Sequence, residues 1–161
     1  MQKIKRNSIF LIDGSSLLYR SYYGLRPLYT AKGVPTQAVY GFCRAIKKLI
    51  DDFNPAYMVV VWDSKGKTFR SELYEAYKAT RQAAPSDLFE QKEKIIEFLN
   101  LIDIEQVSRS GYEADDLLYS IIKDYKKDEF FNTPTPVYAL FILLKSLSKE
   151  PFSPTTSIIS N

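Results

Sequence analysis

The chain has no histidine, a single cysteine, one tryptophan and only six glycines, the last of them Gly111. Without histidine, the common His-containing zinc sites and any imidazole general base are excluded. Cys43 has no second cysteine to pair with and stands inside an apolar helical pattern, so it reads as a small core residue in a reducing compartment. Charge of one sign is also scarce, since 22 Lys and Arg against 19 Asp and Glu leave only +3. Any basic surface must therefore come from local clustering. Long apolar runs are missing too: the longest, VYALFILL at 137–144, falls well below the roughly 20 residues of a membrane-spanning helix. The run after Lys3, Lys5 and Arg6 is too short for a signal peptide and is interrupted by Asp13. A soluble cytoplasmic protein with no membrane partner is expected.

What is present suffices for one domain with a continuous core, because 161 residues with 45% hydrophobic content can bury a large apolar interior. SIFLID at 8–13 and YMVVVWD at 57–63 are short, rich in β-branched and aromatic residues, and each stops on an acid. They read as strands buried on both faces. Between them Val39, Phe42, Ile46, Leu49, Ile50 and Phe53 recur at helical spacing until Asn54-Pro55 ends the segment. Strand, helix, strand makes a βαβ unit with parallel strands. Leu88, Lys92, Ile95, Leu99 and Ile102 mark a second helical stripe introduced by Pro85-Ser86-Asp87, and IDIEQV at 102–107 is the expected third strand. The segment 108–125 then begins another helix, with Leu117, Leu118, Ile121 and Ile122 on its buried side. The fold class is an α/β sandwich on a parallel sheet. From Lys127 the composition changes: residues 130–161 hold four prolines and no glycine, and their only charges are Lys145, Lys149 and Glu150. The expected division is a 1–126 domain followed by a divergent tail, 127–161, that is partly disordered, although VYALFILLKSL within it could pack as a strand or short helix.

Ligands of open parallel sheets bind beyond the carboxyl ends of the strands. Asp13 and Asp63 stand at two such ends, and Glu113, Asp115 and Asp116 follow the third strand. Five acids converging on one edge need cations to stay ionised, and an oxygen-only donor set favours Mg²⁺ or Mn²⁺. Plain structural roles compete for the same residues. Ser110 and Glu113 fit a capping box, Asp115 and Asp116 suit the positive end of a helix, and an Asp after a strand commonly starts a turn. Residues 65–81, KGKTFRSELYEAYKATR, carry five basic and two acidic residues. On a helix Lys67, Arg70, Tyr74, Lys78 and Arg81 share a face beside Phe69, Leu73 and Tyr77. Cations interleaved with aromatic rings suit single-stranded nucleic acid, whereas a solvated amphipathic helix with Glu72 and Glu75 as ion-pair partners is the bland alternative.

IDGSSLLYRSYYGLRPL, with Gly-Val-Pro-Thr at 33–36 and Tyr-Gly-Phe at 40–42, then VVVWDSKGKTFRSELYEAYKATR, then SGYEADD resemble, in the same order, the 5′ nuclease domain of bacterial DNA polymerase I. That domain belongs to the flap-endonuclease family and has a PIN-like fold; the resemblance spans roughly residues 7–125. It implies that Asp13, Asp63, Glu113, Asp115 and Asp116 hold divalent metal and that Lys78 and Arg81 contact the scissile phosphate. It implies also that Tyr77 stacks on a base and that Lys67 and Arg70 are further phosphate contacts. The implied reaction is hydrolysis of DNA at 5′ ends, flaps and single-strand/duplex junctions, in which metal ions activate a water and Lys78 and Arg81 offset charge on the phosphorane.

The chain departs from the family pattern after Asp116. Family members continue into a strand ending in Gly-Asp-x-Asp and then a helix-hairpin-helix region, whereas here no glycine follows Gly111 and the later acids are only Asp124, Asp128, Glu129 and Glu150. The sheet is thus expected to be truncated after its third to fourth strand, with VYALFILLK a candidate for the missing strand's place. Two functions stay open. One is a divalent-metal nuclease, weakened or dependent on a separately encoded remainder of the polymerase; the other is an inactive fragment that keeps DNA binding or only the fold.

Overall fold

The structure is a computed structural model that describes residues 9–64, 66, 68, 69, 73, 84–125 and 137–140. In chain order these form β1 (Ile9–Asp13), α1 (Gly14–Tyr23), α2 (Gln37–Phe53), β2 (Tyr57–Val61), α3 (Ser86–Leu101), β3 (Glu105–Val107), α4 (Ala114–Tyr125) and β4 (Val137–Leu140). One sheet with the order β3-β2-β1-β4 holds all four strands, and every neighbouring pair is parallel. The registers Asp13↔Val61 and Val61↔Val107 bring the C-terminal ends of β1, β2 and β3 to one edge. No helix among the described residues is long and apolar enough to cross a membrane.

The apolar strands are buried on both faces, as their composition predicts. Phe10, Ile12, Met58 and Val60 point into a core shared with Leu17, Phe42, Ile46, Leu88, Ile95 and Leu99 of α1, α2 and α3. The alternate residues Leu11 and Val61 point the other way, against Leu117 and Leu118 of α4. This is the period-2 geometry of a strand with helices on both sides. The Asn54-Pro55 stop works through Asn54, which takes a left-handed conformation (φ 43°) and donates its N–H to the Ile50 carbonyl at 2.8 Å.

Three elements differ from the sequence expectation. First, α1 is a separate helix whose apolar stripe is short, with only Leu17 and Leu18 as large buried side chains, so it carries little periodic signal. Second, β3 spans only Glu105–Val107 rather than 102–107, because α3 continues to Leu101 and Asp103 reverses the chain in a left-handed turn (φ 59°). Third, the buried stripe of α3 includes Gln91, which is 2% exposed, whereas Ile102 is 39% exposed. Gln91 is buried because its side-chain carbonyl accepts the Ala38 N–H at 2.8 Å in the first turn of α2, where Thr36 makes no side-chain cap. Its amide donates to Asp87 at 3.3 Å, which also accepts the Tyr22 hydroxyl at 2.9 Å, so one polar chain ties α1, α2 and α3.

Val137–Leu140 lies within the segment that composition set apart as a tail, and it pairs in parallel with β1 from Ile9↔Val137 to Ile12↔Leu140. Val137–Leu140 therefore does supply a strand, and β1 has a neighbour on either side.

Gly14 fixes how closely α1 approaches the sheet. A Cβ there would meet Val60 Cγ1 at 2.6 Å and Trp62 Cε3 at 2.9 Å. Neither neighbour can retreat, because Val60 is fully buried and Trp62 is stacked on Phe42 with ring centroids 5.7 Å apart. Gly14→Ala is expected to destabilise the fold by about 1–3 kcal/mol through overpacking. That exceeds the roughly 1 kcal/mol that alanine normally adds over glycine in a helix. A lower urea midpoint with an unchanged m-value would show it.

Candidate active site

Asp13 closes β1 and at the same time opens α1. As the N-cap of α1 it accepts the Ser16 N–H at 2.8 Å and the Ser16 hydroxyl at 2.6 Å. The turn-starter reading of Asp13 is therefore real, and it does not remove the charge from the sheet edge. The Asp13 side of the edge is tied to β2 through Ser15, whose buried hydroxyl accepts the Asp63 N–H at 2.9 Å. Asp63 in turn accepts the Ala114 N–H at 2.7 Å through Oδ1, which docks the start of α4 onto the end of β2. Asp13 at the end of β1, Asp63 two residues past β2 and the first turn of α4 thus share one edge, and Asp13 and Asp63 each sit at the positive end of a helix.

Glu113 precedes α4 and is 7% exposed. Half of a capping box lies three residues later than the one expected at Ser110–Glu113. α4 begins at Ala114, and the Asp116 carboxylate accepts the Glu113 N–H at 3.3 Å. Ser110 belongs instead to the turn before it, where the left-handed Gly111 (φ 83°) lets the chain bend toward Glu113. The Glu113 carboxylate accepts from the Thr68 hydroxyl at 3.4 Å. Two backbone bonds strengthen this junction: Ser64 N–H to the Tyr112 carbonyl at 3.2 Å, and Phe69 N–H to the Gly111 carbonyl at 3.0 Å. The root of the basic segment is thereby fixed to the loop that carries Glu113. Lys67, Arg70, Tyr77, Lys78 and Arg81 lie outside the described residues.

Electrostatics mark the edge as crowded with negative charge. The Asp13 carboxyl, 8% exposed, is pushed above the usual carboxylate range first by burial and then by Asp63 and Asp115, while the two hydrogen bonds from Ser16 pull it down. Oxygen donors that repel one another are the ligand chemistry a hard divalent cation stabilises, so the residues fit such an ion by type. Among the described residues no group of three or more acids closes tightly enough to hold an ion; the arrangement is a rim rather than a cage.

The raised pKa has a sign that can be measured. Because folding makes Asp13 harder to ionise, its contribution is most favourable when the carboxyl is protonated and is lost as pH rises through the raised value. Asp13→Asn keeps a good N-cap and removes the charge. Thermal melts in EDTA from pH 3 to 8 are expected to show Asp13→Asn gaining on the wild type as pH rises, with the advantage vanishing at the acid end.

Ser16 and Thr68 escaped the sequence reading as partners of the acids, as did Ser15 as a partner of Asp63. The Asp-Gly-Ser-Ser run at 13–16 was the one available signal, since short hydroxyl side chains beside an N-cap commonly bond locally.

Residues 8–135 match the family described as 5′-3′ exonuclease, N-terminal resolvase-like domain. The chain belongs to this family. Over 123 residues, 76% of the chain, it is 42% identical to a 5′-3′ exonuclease of Aquifex aeolicus, of which the match takes in 43%. It is 39% identical over 126 residues to DNA polymerase I of Bacillus subtilis, covering 14% of that protein. This member of the 5′-3′ exonuclease family thus spans less than half the length of either relative. Among solved structures, T5 5′-exonuclease with bound divalent metal ions (zinc) shares the fold at a TM-score of 0.53 and 18% identity, over 73% of this chain and 44% of that one. The likeness bears out the parallel α/β, PIN-like architecture expected from the sequence.

Proposed function

We propose that this chain hydrolyses DNA phosphodiester bonds at 5′ ends and flaps, using Mg²⁺ or Mn²⁺ held at the rim of Asp13, Asp63, Glu113, Asp115 and Asp116. The observation that carries the reading is the chain of contacts that brings the end of β1, Asp63 just past β2, and the start of α4 to one sheet edge: Ser15 accepts the Asp63 N–H at 2.9 Å, and Asp63 accepts the Ala114 N–H at 2.7 Å. When bound, the ion supplies an activated water and neutralises charge on the departing oxygen. The protein's part is positional. Strands buried on both faces hold Asp13 and Asp63 rigid, Ser16 orients the Asp13 carboxylate, and the Ala114 N–H orients that of Asp63. Lys78 and Arg81 are assigned to offset charge on the phosphorane, Lys67 and Arg70 to hold further phosphates, and Tyr77 to stack on a base, in keeping with the family motif at those positions. The reducing cytoplasm is the proposed place of action, in keeping with a chain whose one cysteine, Cys43, has no second cysteine to pair with.

One observation favours a second reading, an inactive fragment that binds DNA or keeps only the fold. β4 takes the place beside β1, but it is followed in sequence by Phe141 and Ile142, with no acid before Glu150. On the first reading, a separately encoded remainder of the polymerase supplies the missing carboxylates. The deciding experiment is incubation of a 5′-labelled flap substrate with Mg²⁺, Mn²⁺ or EDTA. Metal-dependent release of short 5′ products is expected. Absence of cleavage together with salt-dependent binding would establish the second reading instead.

A further inference from the structure

The edge of the sheet opposite the acid rim carries exposed apolar side chains. α2 ends at Phe53 and feeds β2 at Tyr57, and α3 ends at Leu101 and feeds β3 at Glu105, so both helix ends lie beside the strand starts. Tyr57 is 70% exposed and Leu101 86%, while Ile50 and Ile102 are each 39% exposed. Single apolar residues in water are ordinary, but several gathered at one end of a small domain raise the question of what covers them. The registers Ile9↔Tyr57 and Val59↔Glu105 place this end within two strands of the start of β1.

The same edge is negative. Asp103 and Glu105 are exposed and form no ion pair among the described residues. The carbonyl ends of α2 and α3 point this way, and neither helix has a basic residue in its last turn. Lys47 and Lys48 of α2 are each taken up by their own partners, Asp51 and Asp52, at 2.6 Å. Aliphatic groups and a ring flanked by unanswered negative charge fit a segment that mixes apolar and cationic residues.

Residues 1–8, MQKIKRNS, have that composition: Lys3, Lys5 and Arg6 surround Ile4, Met1 stands ahead of them, and no acid occurs before Asp13. They lead directly into β1, whose first residue pairs with Tyr57. Eight residues reach roughly 26 Å when extended, whereas neighbouring strands are only about 5 Å apart. A tether that short holds the segment at an effective concentration on the order of millimolar. The other basic stretch, 65–81, leaves the sheet from the opposite edge, after Asp63.

We propose that residues 1–8 fold back across this edge as a strap, with Ile4 against Leu101 and Ile102, and with Lys3, Lys5 and Arg6 meeting Asp103, Glu105 and the two helix ends. The strap closes the end of the core remote from the acid rim, and it stands apart from the nuclease reading. Coverage of the edge by a second copy of the chain is the competing outcome.

The test is limited trypsin digestion of the full chain, followed by mass spectrometry that reads cleavage after Lys3 and Lys5. Cleavage after Lys47 and Lys48, inside α2, is read in the same samples as the measure of unfolding. Cuts in the strap need it released, so their rate tracks the open population. Leu101→Gln and, separately, the double change Asp103→Lys with Glu105→Lys are expected to raise the rate after Lys3 and Lys5 by about 5–10-fold. Cleavage within α2 should not change, because all three replaced side chains are exposed. Tyr119→Gln, an equally exposed change on α4, should leave the strap rate as it is. Equal rates in the wild type and both strap variants, or acceleration that is the same after Lys47 and Lys48, would overturn the proposal. Protection that rises with protein concentration would overturn it in favour of the second copy.

Discussion

Asp63→Asn is expected to lower metal-dependent flap cleavage by at least about 100-fold, since even the partners that merely orient metal ligands are worth roughly 10–100-fold. Asparagine is the informative replacement because Asp63 does two things. Its Oδ1 accepts the Ala114 N–H at 2.7 Å and so holds α4 against the sheet; its charge belongs to the rim. The amide of asparagine still offers an oxygen to Ala114, so the melting temperature in EDTA should hold or rise as like-charge repulsion falls. In the wild type, added Mg²⁺ or Mn²⁺ should raise the melting temperature by mass action, and in Asp63→Asn that gain should shrink. Cleavage within about tenfold of the wild type would remove Asp63 from the hydrolytic site and leave it as an anchor for α4.

Phe42→Ala should have the largest effect on stability. Phe42 is fully buried, projects from the second turn of α2 and stacks on Trp62 with an interplanar angle of 16°. Trp62 is wedged in turn by Lys92, 4.6 Å above its ring, and by a hydrogen bond from its indole to Gln106 at 3.0 Å. A partner held on both sides cannot collapse into the space left behind, so the cavity persists and the cost should reach about 3–5 kcal/mol. For a domain of ordinary stability that is a large part of the total, visible as a melting temperature lower by on the order of 10 °C. Because Trp62 immediately precedes Asp63, loosening it should also impair any activity of the rim at temperatures where the variant is still folded. A loss under 1 kcal/mol would mean that α2 and β2 repack freely and that the acids are not rigidly seated.

The two acid-terminated apolar runs make the sheet legible in the sequence. Ile9–Asp13 and Tyr57–Val61 are strands because continuous β-branched and aromatic residues bury well on both faces, and a parallel βαβ unit follows from the helical stripe between them. Helix stops that depend on one residue, such as Asn54 before Pro55, were equally plain. α1 was harder to see, since its start is set by the Asp13 side chain and its stripe holds few large residues. The burial of Gln91 could not be read at all: a polar residue on an apolar stripe looks like an interruption until the first turn of α2, 53 positions away, presents it with an unpaired N–H.

By itself, the sequence determined which residues are acids at strand ends, that no histidine assists them, and that a basic, aromatic segment follows the second strand, because these are matters of residue type and local periodicity. Only the tertiary structure decided that Val137–Leu140 pairs with β1, that Asp13 and Asp63 each serve a helix start as well as the rim, and that Tyr57, Leu101 and Ile102 gather at the opposite edge. Strand order, long-range hydrogen bonds and the repulsion felt by a buried carboxylate depend on distances between residues far apart in the chain, and no local pattern encodes those distances.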